Sequence, residues 1–379
     1  MYLEMIKFDI PERENMFSEK CEQILTGVRK GLQSKPSLDW SNPVTLVANY
    51  ADPEIRAEVI EKATQTRRQN WQEQLFLMPP FYISNDCMDR CLYCPFGKDL
   101  PPSELLSSLD PKQVKTGIED LLKQGYQDVE LVSATTKRLL DGDQAAEYIS
   151  ATKEAGASHI GVNFMPGPTE EYYRRIADAG CDFVIVWQET YNPDVYLRMH
   201  PKGSPKHSLK YRLDAHDRAA LGGIKTFGGA FLGRLPGTDW REESLMTLSH
   251  MQYLIETYGN QVDIIFGMPR WIRTPNIPLQ ANPSDYTDQA YEFVGALYSL
   301  FMPRGLVWFS TREEFKLSAQ AAKGGGCLFT LDCSTEVDGY RKSGYAQFPV
   351  HSMNIEQGIP WLQTQGYDPR TSLPWVVSS

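Results

Sequence analysis

Residues 75–97 read LFLMPPFYISNDCMDRCLYCPFG, a β-rich run followed at once by three cysteines. Cys87, Cys91 and Cys94 stand at C-x3-C-x2-C spacing and are three of the chain's seven cysteines. The spacing is open to three readings: structural cysteines without a ligand, a zinc site, or an iron–sulfur cluster. Structural zinc takes four closed ligands, and no CxxC or HxxxH partner completes such a set here. A [4Fe–4S] cluster is ordinarily held by four thiolates. Three would leave one iron open to a small chelating cofactor.

The texture around this stretch places it in a fold. Upstream, residues 13–33 and 53–76 have helical spacing. Downstream, short β-rich runs alternate with amphipathic stretches. After LFLMPPFYIS come QDVELVSA, HIGVNF, DFVIVW, IKTFGGA, VDIIFGM, LVWFS and CLFTL. Helical stretches are expected at 111–125, 143–155, 169–179, 208–221, 243–258 and 284–301. Regular alternation of this kind predicts parallel strands with crossover helices. Eight such units predict an α/β fold, a (β/α)8 TIM-type barrel with an N-terminal helical extension. An open doubly wound sheet is the structural alternative. The expected organisation is a helical segment over 1–76, the barrel over 77–339, and a tail over 340–379 that packs on the barrel. Active sites of such barrels lie at the C-terminal ends of the strands, which is where the three cysteines fall.

Composition narrows the function. The chain has 379 residues, 41% apolar and 23% charged, ordinary for a globular protein. A net charge of −10 implies no basic face, so neither nucleic acid nor an anionic membrane is an expected partner. The first residues lack the apolar core of a signal peptide. No run approaches the roughly 18 apolar residues of a membrane-spanning helix. The expected location is the cytoplasm, where thiols stay reduced and clustered cysteines favour metal or catalysis over disulfides.

The C-x3-C-x2-C spacing, followed by a glycine and set after the first strand, resembles the signature of the radical S-adenosylmethionine (SAM) superfamily. The segment PPFYISNDCMDRCLYCPFG resembles the aromatic amino-acid lyase branch more narrowly. That branch includes 2-iminoacetate synthase, the hydrogenase-maturing tyrosine lyase and a tryptophan lyase. VIVWQETYNPDVYLRMHPKGSPKHSLKYRLDAHDRAALGGI, GGAFLGRL, MPRWIRTPN, LVWFSTREE and CSTEVDGY continue the likeness in order, over roughly 75–350. The resemblance implies a [4Fe–4S] cluster on Cys87, Cys91 and Cys94, with SAM on the open iron. It implies a 5′-deoxyadenosyl radical that takes hydrogen from an aromatic amino acid, tyrosine being favoured, so that the side chain is cleaved off. Tryptophan or another small amino-acid-like substrate in a cofactor or natural-product pathway is the alternative. An electron donor such as flavodoxin or ferredoxin is implied as well. A non-catalytic metal-binding protein is the remaining reading.

Candidate residues follow. Arginine suits a carboxylate because its planar fork donates two hydrogen bonds. Arg270, after the VDIIFGM strand, matches the family's Pro-Arg position and is favoured for the substrate carboxylate. Arg312, after LVWFS, is the other candidate. Cofactor-binding roles are expected for Tyr93, Ser133, Thr135, Gln188, Glu189, Arg212 and Gly228. Arg212 matches an arginine facing the SAM carboxylate, and Gly228 is expected to let backbone approach the adenine. Two elements depart from the family. Ser133, Ala134 and Thr135 replace its Thr-Gly-Glu, leaving no glutamate there for the SAM amine. PRWIR also has one residue more between its arginines than the family's PRLR.

Overall fold

The computed structural model describes residues 16–259, 261–277, 279–280, 286–351 and 353–374. Its strands are β1 (Gln74–Leu77), β2 (Pro80–Ser84), β3 (Asp128–Ser133), β4 (His159–Asn163), β5 (Phe183–Glu189), β6 (Thr226–Phe231), β7 (Asp263–Gly267), β8 (Leu306–Phe309), β9 (Leu328–Phe329) and β10 (Asp368–Arg370). All pair in parallel, in the order β10-β1-β9-β8-β7-β6-β5-β4-β3-β2. The eight expected runs are present as β2 to β9, in a curled α/β sheet of TIM type.

The strand count differs for a definable reason. The run 75–84 was expected as one strand, but Pro79 and Pro80 interrupt it. Proline has no N–H to give a ladder. The half before the prolines, β1, pairs with β9, and the half after, β2, pairs with β3. One bent segment therefore serves both ends of the ladder, and β10 from the C-terminal segment covers the outer edge of β1.

Side chains alternate across the sheet as a half-buried pleat requires. On β5, Phe183 and Ile185 join Phe76, Ile265 and Trp308 in one buried cluster. Val184 and Val186 join the larger core under the helices. Those helices start at strong local signals. Pro111–Leu122 opens with proline and a capping box between Asp110 and Gln113. Pro53–Trp71 opens on an Asp52 cap. The expected helix over 208–221 is broken into Leu209–Leu213 and Ala215–Leu221. At the break, Asp214 accepts from the backbone N–H (2.9 Å) and hydroxyl (2.8 Å) of Ser18. This ties the N-terminal helix Phe17–Ser34 to the sheet's helical layer, where it packs on Trp240–Tyr258. Among the described residues, no helix is long and apolar enough to cross a membrane.

Candidate active site

The loop after β2 carries Cys87, Cys91 and Cys94 to the C-terminal ends of the strands. All three are free thiols. They line one open cavity of about 1320 Å3, its mouth included. Tyr93, Ser133, Thr135, Glu189, Arg212 and Arg312 line it too. Most of the candidates, scattered over 226 residues of sequence, thus share one space.

Asp89, inside the cysteine motif, holds the loop in place. It is buried, and its carboxylate accepts from the hydroxyls of Thr135 and Ser204 and from the Lys206 backbone N–H at 2.9 Å. The Met88 N–H donates to the Thr135 carbonyl at 2.9 Å, and the Leu92 N–H to that of Met199 at 3.0 Å. The Trp271 indole donates to the Tyr93 carbonyl at 2.9 Å. Cys87 Sγ receives the Asp89 N–H at 3.4 Å, and Cys94 Sγ receives the Gln347 amide at 3.5 Å.

These thiols fit an iron–sulfur cluster. The three thiols line one cavity, close enough for Cys91 to sense the charges of Cys87 and Cys94. Burial pushes the Cys87 thiol up to about 12 and raises Cys91 and Cys94 as well. Thiolates in this pocket therefore need added positive charge, which bound iron brings. Hydrogen bonds to Cys87 and Cys94 suit a sulfur that carries charge.

A polar chain runs beside the thiols. Lys206 Nζ donates to Glu189 Oε1 at 2.9 Å and to the Tyr93 hydroxyl at 3.0 Å. The Tyr93 hydroxyl lies 2.9 Å from His200 Nε2, while His200 Nδ1 lies 2.8 Å from the Tyr196 carbonyl. The chain is consistent with Nδ1–H donating to that carbonyl and Tyr93 donating to Nε2. Burial holds His200 well below the usual imidazole range, so it stays neutral. Glu189 sits at φ +70°, a conformation that a non-glycine residue holds only when its surroundings impose it. Arg212 donates through Nε (3.1 Å) and Nη2 to the Trp187 carbonyl, with Nη2 also 4.0 Å from Glu189.

Three candidates are not at the cavity. Arg270 has its guanidinium on Glu313, with Nε to Oε2 at 2.5 Å, and on Asp288. It is held as a structural ion-pair centre between helix Asp288–Phe301 and the loop after β8. Gln188 is buried on the other face of β5, its Nε2 3.4 Å from the Thr190 carbonyl. Gly228 lies within the sheet, where a Cβ would come 2.6 Å from Ile185, so the residue serves strand packing. Thr135 lines the cavity, but its hydroxyl proton goes to Asp89.

Arg312 stands apart from these. Its guanidinium carbon lies 3.5 Å from the Phe348 ring centre and 5.7 Å from that of Trp187. Its Nε and the Trp187 indole N–H are both buried without a hydrogen-bond partner among the described residues. Burial lowers the Arg312 pKa from its ordinary value. Sequence reasoning missed Asp89, Lys206, Gln347, Glu130 and Asn163. Asp89 alone carried a local signal, its place between two of the cysteines. Cys333 lines the cavity, whereas Cys327 is buried near the Gly305 carbonyl, so the two do not form a second site.

Residues 81–248 match the Radical SAM superfamily model. The chain is similar to the 2-iminoacetate synthases of Escherichia coli and Salmonella typhimurium. It is 27% identical to the first over 202 residues (53% of this chain, 52% of the relative) and 26% identical to the second over 212 residues (56% and 53%). The matched region thus spans about half the length of these curated relatives. Its fold is similar to the FeFe-hydrogenase maturase HydG from Carboxydothermus hydrogenoformans, at a TM-score of 0.80 and 23% identity, covering 94% of this chain and 81% of that one. It is also similar to methylornithine synthase (PylB), at a TM-score of 0.69 and 16% identity, covering 93% and 97%. Residues 81–248, which carry the three cysteines, therefore match a radical SAM domain, set in a fold of the same kind as these structures.

Proposed function

We propose that this enzyme is a carbon–carbon lyase that takes hydrogen from an aromatic amino acid and cleaves off its side chain, with tyrosine as the favoured substrate. The observation that carries this reading is the pair of unpartnered donors, Arg312 Nε and Trp187 Nε1, in the same cavity as the three thiols. Two unpartnered donors on neighbouring residues of one cavity, one of them cationic, suit a carboxylate. A buried arginine with no carboxylate in hydrogen-bond contact bears a desolvation cost that a ligand carboxylate would offset. The rings of Trp187, Trp308 and Phe348 border the same space and suit an aromatic side chain. The matched curated relatives are 2-iminoacetate synthases, which favours tyrosine.

Cys87, Cys91 and Cys94 would hold the cluster. When bound, cluster and SAM supply the hydrogen-abstracting radical. Arg212, Glu189 and Lys206 would orient the SAM methionyl and ribose groups. Arg312 would fix the substrate carboxylate and so aim its amino group, because placement is where such an enzyme gains most. The aromatic walls would limit water at the reacting centre once substrate fills the cavity. Seven free thiols suit a reducing compartment, the cytoplasm, with flavodoxin or ferredoxin as reductant. The test is an anaerobic assay of the reconstituted chain with SAM, dithionite and tyrosine, tryptophan or phenylalanine. Tyrosine should stimulate 5′-deoxyadenosine formation and yield p-cresol with glyoxylate. If no aromatic amino acid stimulates deoxyadenosine formation, the proposal falls.

A further inference from the structure

Glu130 is a buried carboxyl of this cavity that belongs to neither the cysteine loop nor the Lys206 chain. It lies on β3, three residues before Ser133, which is about 10 Å down the strand at 3.3 Å per residue. It lines the floor of the cavity whose rim holds the cysteines, and it is 2% exposed. Asn163, on the neighbouring β4, donates to Oε1 at 3.0 Å. Oε2 has no hydrogen-bond partner among the described residues, and no cation pairs with the group. The nearby Thr330 hydroxyl is already committed, accepting from the Trp308 indole at 2.9 Å and donating to the Met78 carbonyl at 3.0 Å. Tyr82 and Cys333 are the other titratable groups facing Glu130, and neither supplies positive charge. Burial raises the Glu130 carboxyl to about 8.

Oε2 is therefore free to pair with a polar group of a ligand that reaches the cavity floor. With Arg312 at the rim and aromatic rings between, an amino acid bound by its carboxylate would extend its side chain toward the floor. We propose that Glu130, oriented by Asn163, is a specificity-determining group that exchanges a hydrogen bond with an O–H or N–H group at the far end of the substrate side chain. The site then takes aromatic amino acids ending in an O–H or N–H and disfavours plain phenyl. This rests on the aromatic-substrate reading above.

The test is calorimetric binding of L-tyrosine, L-tryptophan and L-phenylalanine to the reconstituted enzyme with SAM, without reductant. Wild type should bind tyrosine at least about tenfold more tightly than phenylalanine, since a hydrogen-bonding group left unpaired by phenylalanine costs upward of about 1.4 kcal/mol. Glu130→Leu should erase the difference and bind phenylalanine as well as wild type or better, which a merely structural role would not produce. Glu130→Gln, of the same shape, should keep most of the preference and guards against a leucine variant that fails to fold. Equal wild-type affinities for tyrosine and phenylalanine would overturn the proposal. So would a tenfold preference retained in Glu130→Leu. Wild type that binds none of the three would instead overturn the aromatic-substrate reading, and this inference with it.

Discussion

Replacing Asp89 with alanine tests how the cysteine loop is held. The Asp89 carboxylate accepts three buried hydrogen bonds, from the Thr135 and Ser204 hydroxyls and from the Lys206 N–H. Bonds to a charged acceptor contribute about 1.5–3 kcal/mol each, and truncation also leaves three buried donors unpaired. Because the three share one carboxylate, their effects do not add fully. A loss of about 3–5 kcal/mol is expected. The loss falls on the loop that carries Cys87, Cys91 and Cys94, so the thiols lose their preformed arrangement. At about 1.4 kcal/mol per factor of ten, cluster affinity should fall at least 100-fold. The assay is iron and sulfide retained by anaerobically reconstituted protein after challenge with an iron chelator, alongside the melting temperature. Asp89→Asn should fall between wild type and alanine, because one acceptor oxygen remains. Iron retention within twofold of wild type, with an unchanged melting temperature, would refute the reasoning.

Other substitutions separate site from scaffold. Arg312→Ala should weaken tyrosine binding by roughly 30-fold or more, about 2 kcal/mol or greater for a buried charge partner, while iron content stays at the wild-type level; an unchanged dissociation constant counts against the carboxylate role. Arg270→Ala should do the reverse. It leaves Glu313 buried without its cation, at a cost of about 3–5 kcal/mol in stability, with the KM of the folded fraction unchanged; a raised KM at unaltered stability would restore Arg270 to the site. The Glu130 carboxyl is raised from 4.5 to about 8 by burial. Between those values the unfolded carboxyl ionises while the folded one keeps its proton, so stability falls as pH rises through that window, by on the order of 4 kcal/mol at its top. Glu130→Gln should flatten that decline in denaturant titrations run from pH 5 to 8, and an unaltered slope would show that the group does not titrate in this way.

Much of this was legible in the sequence because it was local. The cysteine spacing, the βα alternation and the Pro-opened helices are each written within a few residues. The bend at Pro79 and Pro80 was visible as two prolines, but where each half would pair depends on strands some 50 and 250 residues away. The site was less legible because side-chain direction is set by packing. Arg270 and Arg312 both follow strands and look equivalent in sequence. Only the placement of Glu313 and Asp288 beside one of them decides which guanidinium is neutralised. Gly228 looked like room for a ligand, yet it accommodates Ile185 on the adjacent strand. Gln347 reaches the Cys94 thiol and Lys206 the Tyr93 hydroxyl from segments far along the chain, and neither pointed to the cysteines in sequence. Glu130 was hidden in an apolar-looking run, DVELVS, where the pleat turns it inward.

The central claim is that Cys87, Cys91 and Cys94 hold a cluster that works on SAM. The most direct measurement is 5′-deoxyadenosine formed from SAM by the anaerobically reconstituted chain under dithionite, with iron counted on the same sample. The account predicts a brown protein with about four irons per chain, formation of 5′-deoxyadenosine, and loss of both in the Cys87→Ala, Cys91→Ala, Cys94→Ala triple variant. A colourless protein that takes up one zinc and leaves SAM intact would contradict it.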